Sequence, residues 1–261
     1  MEIRDETMTR KSAFAKVAMT ALLFGGGIAQ ADTIELRGDQ WCPFNCQPGS
    51  ERPGFMVEIA REALALYGHT VNYEIMNWAR SLEYVHSGRI NGVIGTDKDE
   101  SPDLVFGPPI GTYQEAVAFR AGEARQIDST ETIEGQRVGA IKGYEYISVI
   151  ADYMDQNSSS SELVQTLSGD TALEQNLRKL LARRVDLVPE ERSVLAYTLS
   201  TLSITSDVEI ALDPEISDLF IAFSPELENS ETYATQLASG LEQLRASGRV
   251  AEIMSLYGLS E

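Results

Sequence analysis

The sequence predicts an α/β protein of two lobes, each a mixed, mostly parallel sheet flanked by helices, with a ligand cleft between them. Three observations predict it. The order strand, helix, strand, helix, strand occurs twice along the chain. The junctions "HSGRINGVIG" and "LARRVDLVP" both run from a helix end through a basic residue into a buried strand. The 230 residues left after a leader of 31 suffice for two lobes of about 100 each.

In the first unit, 33–37 (TIELR) reads as a strand, and 55–67 as a helix with Ile59, Ala63, Leu64 and Tyr67 on one face. The alternating segment 71–76 (VNYEIM) is a strand. The next helix, 78–87, carries Trp78, Leu82 and Val85 at helical spacing, and 91–95 (NGVIG) is a short buried strand. The second unit repeats this with strand 137–141, helix 144–155, strand 162–166, helix 170–182 bearing Leu173, Leu177, Leu180 and Leu181, and strand 185–188. Between the units, 104–119 reads as a crossover. After them come a helix at 190–202, strands near 208–212 and 219–223, and helices across 231–257 broken at Gly248. Alternation of this kind builds parallel sheets whose ligands bind beyond the carboxyl ends of the strands, so two adjacent units imply two facing sets of loops.

Arg10 and Lys11, the apolar run 17–28 and the sequence Ala29-Gln30-Ala31 form an export signal with cleavage after Ala31, which predicts a periplasmic protein. The apolar run is too short for a membrane span. Removing residues 1–31 leaves 17 basic against 37 acidic side chains, a net charge of −20, which makes nucleic acid and anionic membranes poor partners. We read this acidity as solubility rather than as a sign of a cationic ligand.

An oxidising compartment favours a disulfide between Cys42 and Cys46. Their three-residue spacing does not suit a redox C-x-x-C motif, and His69 and His86 do not complete a zinc set, so neither a metal nor a cofactor is expected. The stretch "WCPFNCQPGSERPGF" therefore reads as a stapled loop that carries an aromatic.

The pieces "WCPF", "GFMVEIAREAL", "NWARSLEYVHSGRINGVIG", "LVFGPPIGTYQEAVAF", "TIEGQRVGAIKGYEY", "LLARRVDLVPEE" and "LEQLRASGRVAEIMSLYG", in that order, resemble the family 3 extracellular solute-binding proteins, the periplasmic polar amino acid type of ABC transporters. The resemblance implies a type II periplasmic binding protein fold, with residues 32–117 and 216–261 in one lobe and 118–215 in the other. It implies a monomer that closes on a small polar solute and presents it to an ABC importer permease or a membrane sensor. By position, Trp41 and Trp78 look like the aromatics that cover the ligand, with Phe44 and Tyr113 beside them. Gly95, Thr96 and Asp97 would meet its polar groups. Gly143, Tyr144 and Glu145 sit where family members offer helix-start amides, and Glu191, with Glu190 as its neighbour, where they place the acid for an amino group. Helix-start N–H groups suit an anionic oxygen, and flat aromatic faces suit cations and aliphatic surface.

One departure touches the ligand. Family members that bind α-amino acids carry an arginine shortly after the first lobe's loop, as a fork for the carboxylate. Here the segment reads "TDKDESPD", without arginine. Arg80 is the candidate replacement, with Lys98 and Lys142 as weaker ones. The rival reading is an enzyme on the same scaffold, a cyclohexadienyl or arogenate dehydratase-like protein using Glu145, Glu190 or Glu191 as acid or base.

Overall fold

A computed structural model describes residues 1–2, 31–146 and 148–261. The export signal expected over residues 1–31 falls almost wholly outside them. In chain order the elements are β1 (Thr33–Gly38), α1 (Phe55–Ala65), β2 (Thr70–Ile75), α2 (Trp78–His86), β3 (Gly92–Thr96), β4 (Val105–Tyr113), β5 (Glu115–Arg120), β6 (Val138–Ile141) and α3 (Ser148–Gln156). They continue with β7 (Val164–Leu167), α4 (Ala172–Leu181), β8 (Val188–Glu191), α5 (Arg192–Thr201), β9 (Val208–Leu212), β10 (Ser217–Phe223), α6 (Ser230–Ala246) and α7 (Arg249–Leu256).

The first lobe is a five-stranded sheet in the order β2-β1-β3-β10-β4. β1 runs parallel to β2 from Thr33↔Thr70 to Gly38↔Ile75 and parallel to β3 at Leu36↔Gly92. β10 enters antiparallel between β3 and β4. Its length of apolar residues, Leu219 to Phe223, is buried, as a central strand covered on both faces requires. One face of the sheet packs against α1, α6 and α7 through Ile59, Leu64, Leu237, Leu241 and Ile253; the other packs against α2 through Trp78 and Val85.

The second lobe carries β8-β5-β9 and β6-β7, which are joined by a parallel bridge between Val138 and Leu187. Its helices pack through Leu177, Leu180, Leu195 and Leu199 on one side and Ile150 and Tyr153 on the other. The buried Asn176 of α4 donates to the carbonyl of Ala140, 3.0 Å away, which ties the helix to β6. The chain leaves the first sheet between Tyr113 and Glu115 and returns to it between Leu212 and Ser217.

Three local readings change. The stretch 104–119 does cross from the first lobe to the second, as expected, but it forms a strand on each side of the crossing, because β4 finds β10 as a partner and β5 finds β8 and β9. The strand expected at 185–188 lies instead at Val188–Glu191, since antiparallel pairing from Ala118↔Val188 to Glu115↔Glu191 holds Glu190 and Glu191 extended. The helix expected from residue 144 starts at Ser148, which leaves Tyr144 to Tyr146 as irregular chain.

α6 lies so close to α1 that a Cβ built on Gly240 would stand 2.5 Å from the carbonyl oxygen of Ala63. Gly240→Val therefore separates the two helices. We expect a loss of about 1–3 kcal/mol, read as a fall of several degrees in the thermal unfolding midpoint. An unchanged midpoint would show that α6 shifts without cost.

Candidate functional site

β1 delivers the chain into the loop that carries Trp41. The loop folds on itself: Trp41 N donates to Asn45 O at 2.8 Å, Phe44 N to Trp41 O at 3.0 Å, and Asn45 Nδ2 to Asp39 O at 2.6 Å. The Cys42–Cys46 disulfide spans it, with Cα atoms 4.8 Å apart. Phe44 anchors the loop in the core against Phe55, their ring centroids 5.1 Å apart. The Trp41 indole stacks on Phe44 at 4.5 Å and lies 6.2 Å from the ring of Tyr113. Gly95 faces the same indole, where a Cβ would sit 3.3 Å from the ring.

The second tryptophan is held by a turn. Asp97 Oδ1 accepts from the backbone N–H groups of Asp99 and Glu100 at 2.8 and 2.9 Å. This aims Glu100 inward, where its carboxyl accepts from Trp78 Nε1 at 2.7 Å and from the buried Thr96 hydroxyl at 3.1 Å. The departure noted in "TDKDESPD" thus has a structural content: the segment sets an acid on an indole N–H.

Two cavities meet here. The larger, of about 510 Å³, is lined by Trp41, Trp78, Gly95, Asp97, Glu100 and Tyr113 of the first lobe and by Tyr144, Glu145, Tyr146 and Glu190 of the second. Asp39, Asp99, Glu115 and the returning segment Glu215–Ser217 complete most of its wall. The smaller, of about 390 Å³, shares Asp39, Trp41, Trp78, Tyr144 and Glu190 and adds Arg52, Lys142, Asp170 and Tyr197. Between the cavities, among the described residues, two polar contacts join the lobes. Trp41 Nε1 donates to Glu190 Oε1 at 2.8 Å, and the Tyr144 hydroxyl donates to Asp39.

The electrostatics of the larger cavity are one-sided. Eight carboxyl groups line it, with no Lys, Arg or His among the lining residues. Burial pushes the Glu190 carboxyl up to about 8, against the opposing hydrogen bond from Trp41. It likewise raises Glu100 to about 7, despite the bonds from Trp78 and Thr96, and Asp39 to about 6, despite the bond from Tyr144. The hydroxyls of Tyr113 and Tyr144 are raised, again by burial first and then by neighbouring carboxylates. Glu190 Oε2 is buried without a hydrogen-bond partner.

Of the residues singled out from sequence, the structure brings Trp41, Trp78, Gly95, Asp97, Tyr113, Tyr144, Glu145 and Glu190 to the larger cavity, with Thr96 behind Glu100. Phe44 lies beneath Trp41, in the core. Trp78 lines both cavities and also packs against Val85 and Val93, so core and cleft are two sides of one ring. Arg80 is exposed and lines neither cavity: two residues on from Trp78 it lies about 200° round the helix. Gly143 faces Ala79 of α2 rather than either cavity.

Glu190 and Glu191 part company because adjacent residues of a strand point to opposite faces. Glu190 faces the cavities, whereas Glu191, the residue expected to supply the acid, borders neither of them and caps α5, accepting from Val194 N at 2.8 Å. Lys98 lies over the rings of Phe106 and Phe220, and Lys142 borders the smaller cavity. Sequence reasoning passed over Asp39, Glu100, Glu115 and Tyr146. Asp39 follows β1 directly and Glu100 stands in the turn after β3, and the rule that ligands meet the carboxyl ends of strands would have found them. Glu115 gave no such signal, since its strand was read as crossover.

The model of the bacterial extracellular solute-binding proteins, family 3, matches residues 37–260. The chain belongs to this family. Solved structures share its fold. An ancestral arginine-binding protein bound to arginine is 18% identical, with 86% of this chain and 97% of that one covered and a TM-score of 0.69. A protein of glutathione import through the cystine ABC importer of Streptococcus mutans is 13% identical, covering 88% and 97%, with a TM-score of 0.72. A histidine kinase sensor domain similar to periplasmic binding proteins is 18% identical, covering 86% and 95%, with a TM-score of 0.68. No curated protein sequence matches the chain. Among the described residues, no helix is long and apolar enough to cross a membrane.

Proposed function

We propose that this family member is an exported, monomeric binding protein that captures a small polar solute between its lobes and presents it to an ABC importer, without turning it over. The moving bodies are the two lobes, divided near the expected boundaries at 117 and 216 but with the whole of β5, from Glu115, moving with the second lobe, to whose strands it pairs. The observation that carries the reading is the pair of contacts from lobe to lobe, Trp41 to Glu190 and Tyr144 to Asp39, beside a cavity walled by both lobes. A solute that touches both walls gains its full set of contacts only when the lobes are closed, so its occupancy shifts an open–closed equilibrium. The likeness to a sensor domain favours a second partner, a membrane sensor, reached by the same closure.

Titration calorimetry against amino acids, amines and small organic acids identifies the solute, and small-angle scattering with and without it should show a decrease in radius of gyration. Trp41→Ala, which removes the shared wall of both cavities, should weaken binding by about 2–4 kcal/mol, thirtyfold or more. Cyclohexadienyl acids should come back unchanged. Silence of a folded protein across the panel, or turnover of those acids, would overturn the reading.

A further inference from the structure

We infer that the solute is a small organic cation with two positive centres and no carboxylate, an aliphatic diamine or an amine bearing a guanidino group. The inference rests on the reading of the cleft as a solute site and goes on to specify what that site recognises. Its basis is a motif built twice in one cavity: an indole N–H fixing a carboxyl, Trp41 on Glu190 and Trp78 on Glu100.

Each pair has further acids around it. Glu190 feels Asp39, and Glu100 feels Glu145 and Asp97. An acid-lined hollow alone would say little. Here one buried oxygen beside it lacks a partner: Glu190 is 2% exposed, borders both cavities, and its Oε2 has no hydrogen-bond partner. A buried acceptor left unmade is costly, and an ammonium or guanidinium N–H is the donor that satisfies an acidic oxygen best. The aromatic walls at Trp41, Tyr113 and Trp78 add faces that attract cations and cover methylene chains.

The same wall argues against an α-amino acid. A ligand carboxylate would need a cation or a set of N–H donors, and the larger cavity offers no cationic side chain. Arg52 and Lys142 face the smaller cavity, and Arg80 faces neither. Among the described residues, no group of three or more His, Cys, Asp or Glu side chains is placed to hold a metal ion, which favours an organic cation.

Proton linkage gives the test a second reading. Around Glu190 the larger cavity sets Asp39, Trp41, Tyr113, Glu115, Tyr144 and Tyr146, with Glu191 beside it in the strand and no cation among them; the smaller cavity, which Glu190 also borders, brings Arg52 and Lys142 with Glu51, Asp170 and Glu174. Free of ligand, Glu190 and Glu100 hold protons up to about pH 8 and about pH 7. A cation displaces those protons, so its affinity should rise with pH between 6 and 8, up to roughly tenfold per unit for each proton released. A ligand carboxylate in the same place would show the opposite slope.

The experiment is titration calorimetry at pH 6, 7 and 8 with putrescine, cadaverine, agmatine, arginine, lysine, glutamate, succinate and calcium chloride. Binding of a diamine or agmatine at least about tenfold tighter than arginine or lysine, tightening with pH, is the expected result. Glu190→Gln and Glu100→Gln, which keep the shape and the acceptor for the indole, should each weaken the amine by at least about thirtyfold. Preference for an amino acid, a dicarboxylate or calcium would overturn the inference while leaving a solute-binding site in place. Silence across the whole panel would overturn both. A variant that binds the amine as tightly as wild type would remove its carboxyl from the site.

Discussion

The ligand-free protein should lose stability as the pH rises from about 5 to about 8, the reverse of the usual acid-labile pattern. Four carboxyls are raised by burial: Asp39 to about 6, Glu100 to about 7, Glu191 to about 7 and Glu190 to about 8. Between its unfolded and folded values, each holds a proton in the folded state that the unfolded chain has released. The folded state then binds more protons, so stability falls with pH through that window. The benefit of neutral burial is full below the unfolded values of 3.8 to 4.5 and is lost above about 8. Each pKa unit corresponds to about 1.4 kcal/mol, which places the Glu190 contribution alone on the order of 3–5 kcal/mol. Among the described residues, three carboxyls run the other way, Glu123 and the exposed Glu131 among them, lowered chiefly by hydrogen bonds from Arg120 and Ser129. Asp186, lowered to about 2 chiefly by the hydrogen bond from Arg137, contributes stability that disappears as pH falls from 3.8 towards 2. The maximum should therefore lie near pH 4–5. Denaturant titrations from pH 3 to 9 test it. Glu190→Gln should flatten the descending limb and raise stability above pH 7, since the amide oxygen still accepts from Trp41. A wild-type stability that climbs from pH 5 to 8 would show these acids to be ionised and compensated in the folded state.

Legibility in the sequence followed the range of the physics. The first lobe's strand order rests on apolar runs and alternation, and "TIELR", "VNYEIM" and "NGVIG" carry both within five or six residues, so β1, β2 and β3 were readable. β4 and β5 were not. "VFGPPIGTY" holds two prolines and two glycines, a composition that argues against a strand, and β4 exists because β10 arrives from more than a hundred residues away to pair with it. In the site, the proline-rich stapled loop argued against a core role for Trp41, yet its indole is buried in the first lobe's core, stacked on Phe44, as well as bordering both cavities. The division between Glu190 and Glu191 was not readable, since it depends on which face of β8 meets the cleft, and that is set by its register with β5. The acidity of the cavity was invisible for another reason. In a chain of net charge −19, the handful of acids that converge cannot be told from those that face solvent until the fold places them.

Gly54→Ala should be among the most damaging small substitutions in the protein and should act on the site from a distance. Gly54 stands at φ 111°, ψ 138°, at the N-terminus of α1, a conformation that side chains rarely adopt. A Cβ there would lie 2.3 Å from the carbonyl oxygen of Phe44 and 2.5 Å from the Cα of Asn45. Those atoms belong to the loop that presents Trp41, so the clash falls on backbone and cannot be relieved by turning a side chain. The far side is closed as well. Gly54 N donates to the Tyr257 hydroxyl at 2.8 Å, that hydroxyl donates to Glu58, and Arg52 donates to Leu256 O at 2.6 Å, which clamps the segment against the end of α7. Conformational strain and overpacking of about 1–3 kcal/mol each give an expected loss of roughly 3–5 kcal/mol. The unfolding midpoint should fall by roughly 10 °C for a chain of this size. Gly49 is the control: it too has positive φ, but a Cβ built on it meets nothing within 4 Å, so Gly49→Ala carries the conformational cost without the clash. The relief open to the Gly54 variant is to push residues 41–46 toward the cleft, which would loosen the Trp41–Glu190 bond and alter tryptophan emission. If Gly54→Ala matches Gly49→Ala in midpoint and emission, the loop is not held by this contact, and the placement of the Trp41 indole must come from Phe44 and the disulfide alone.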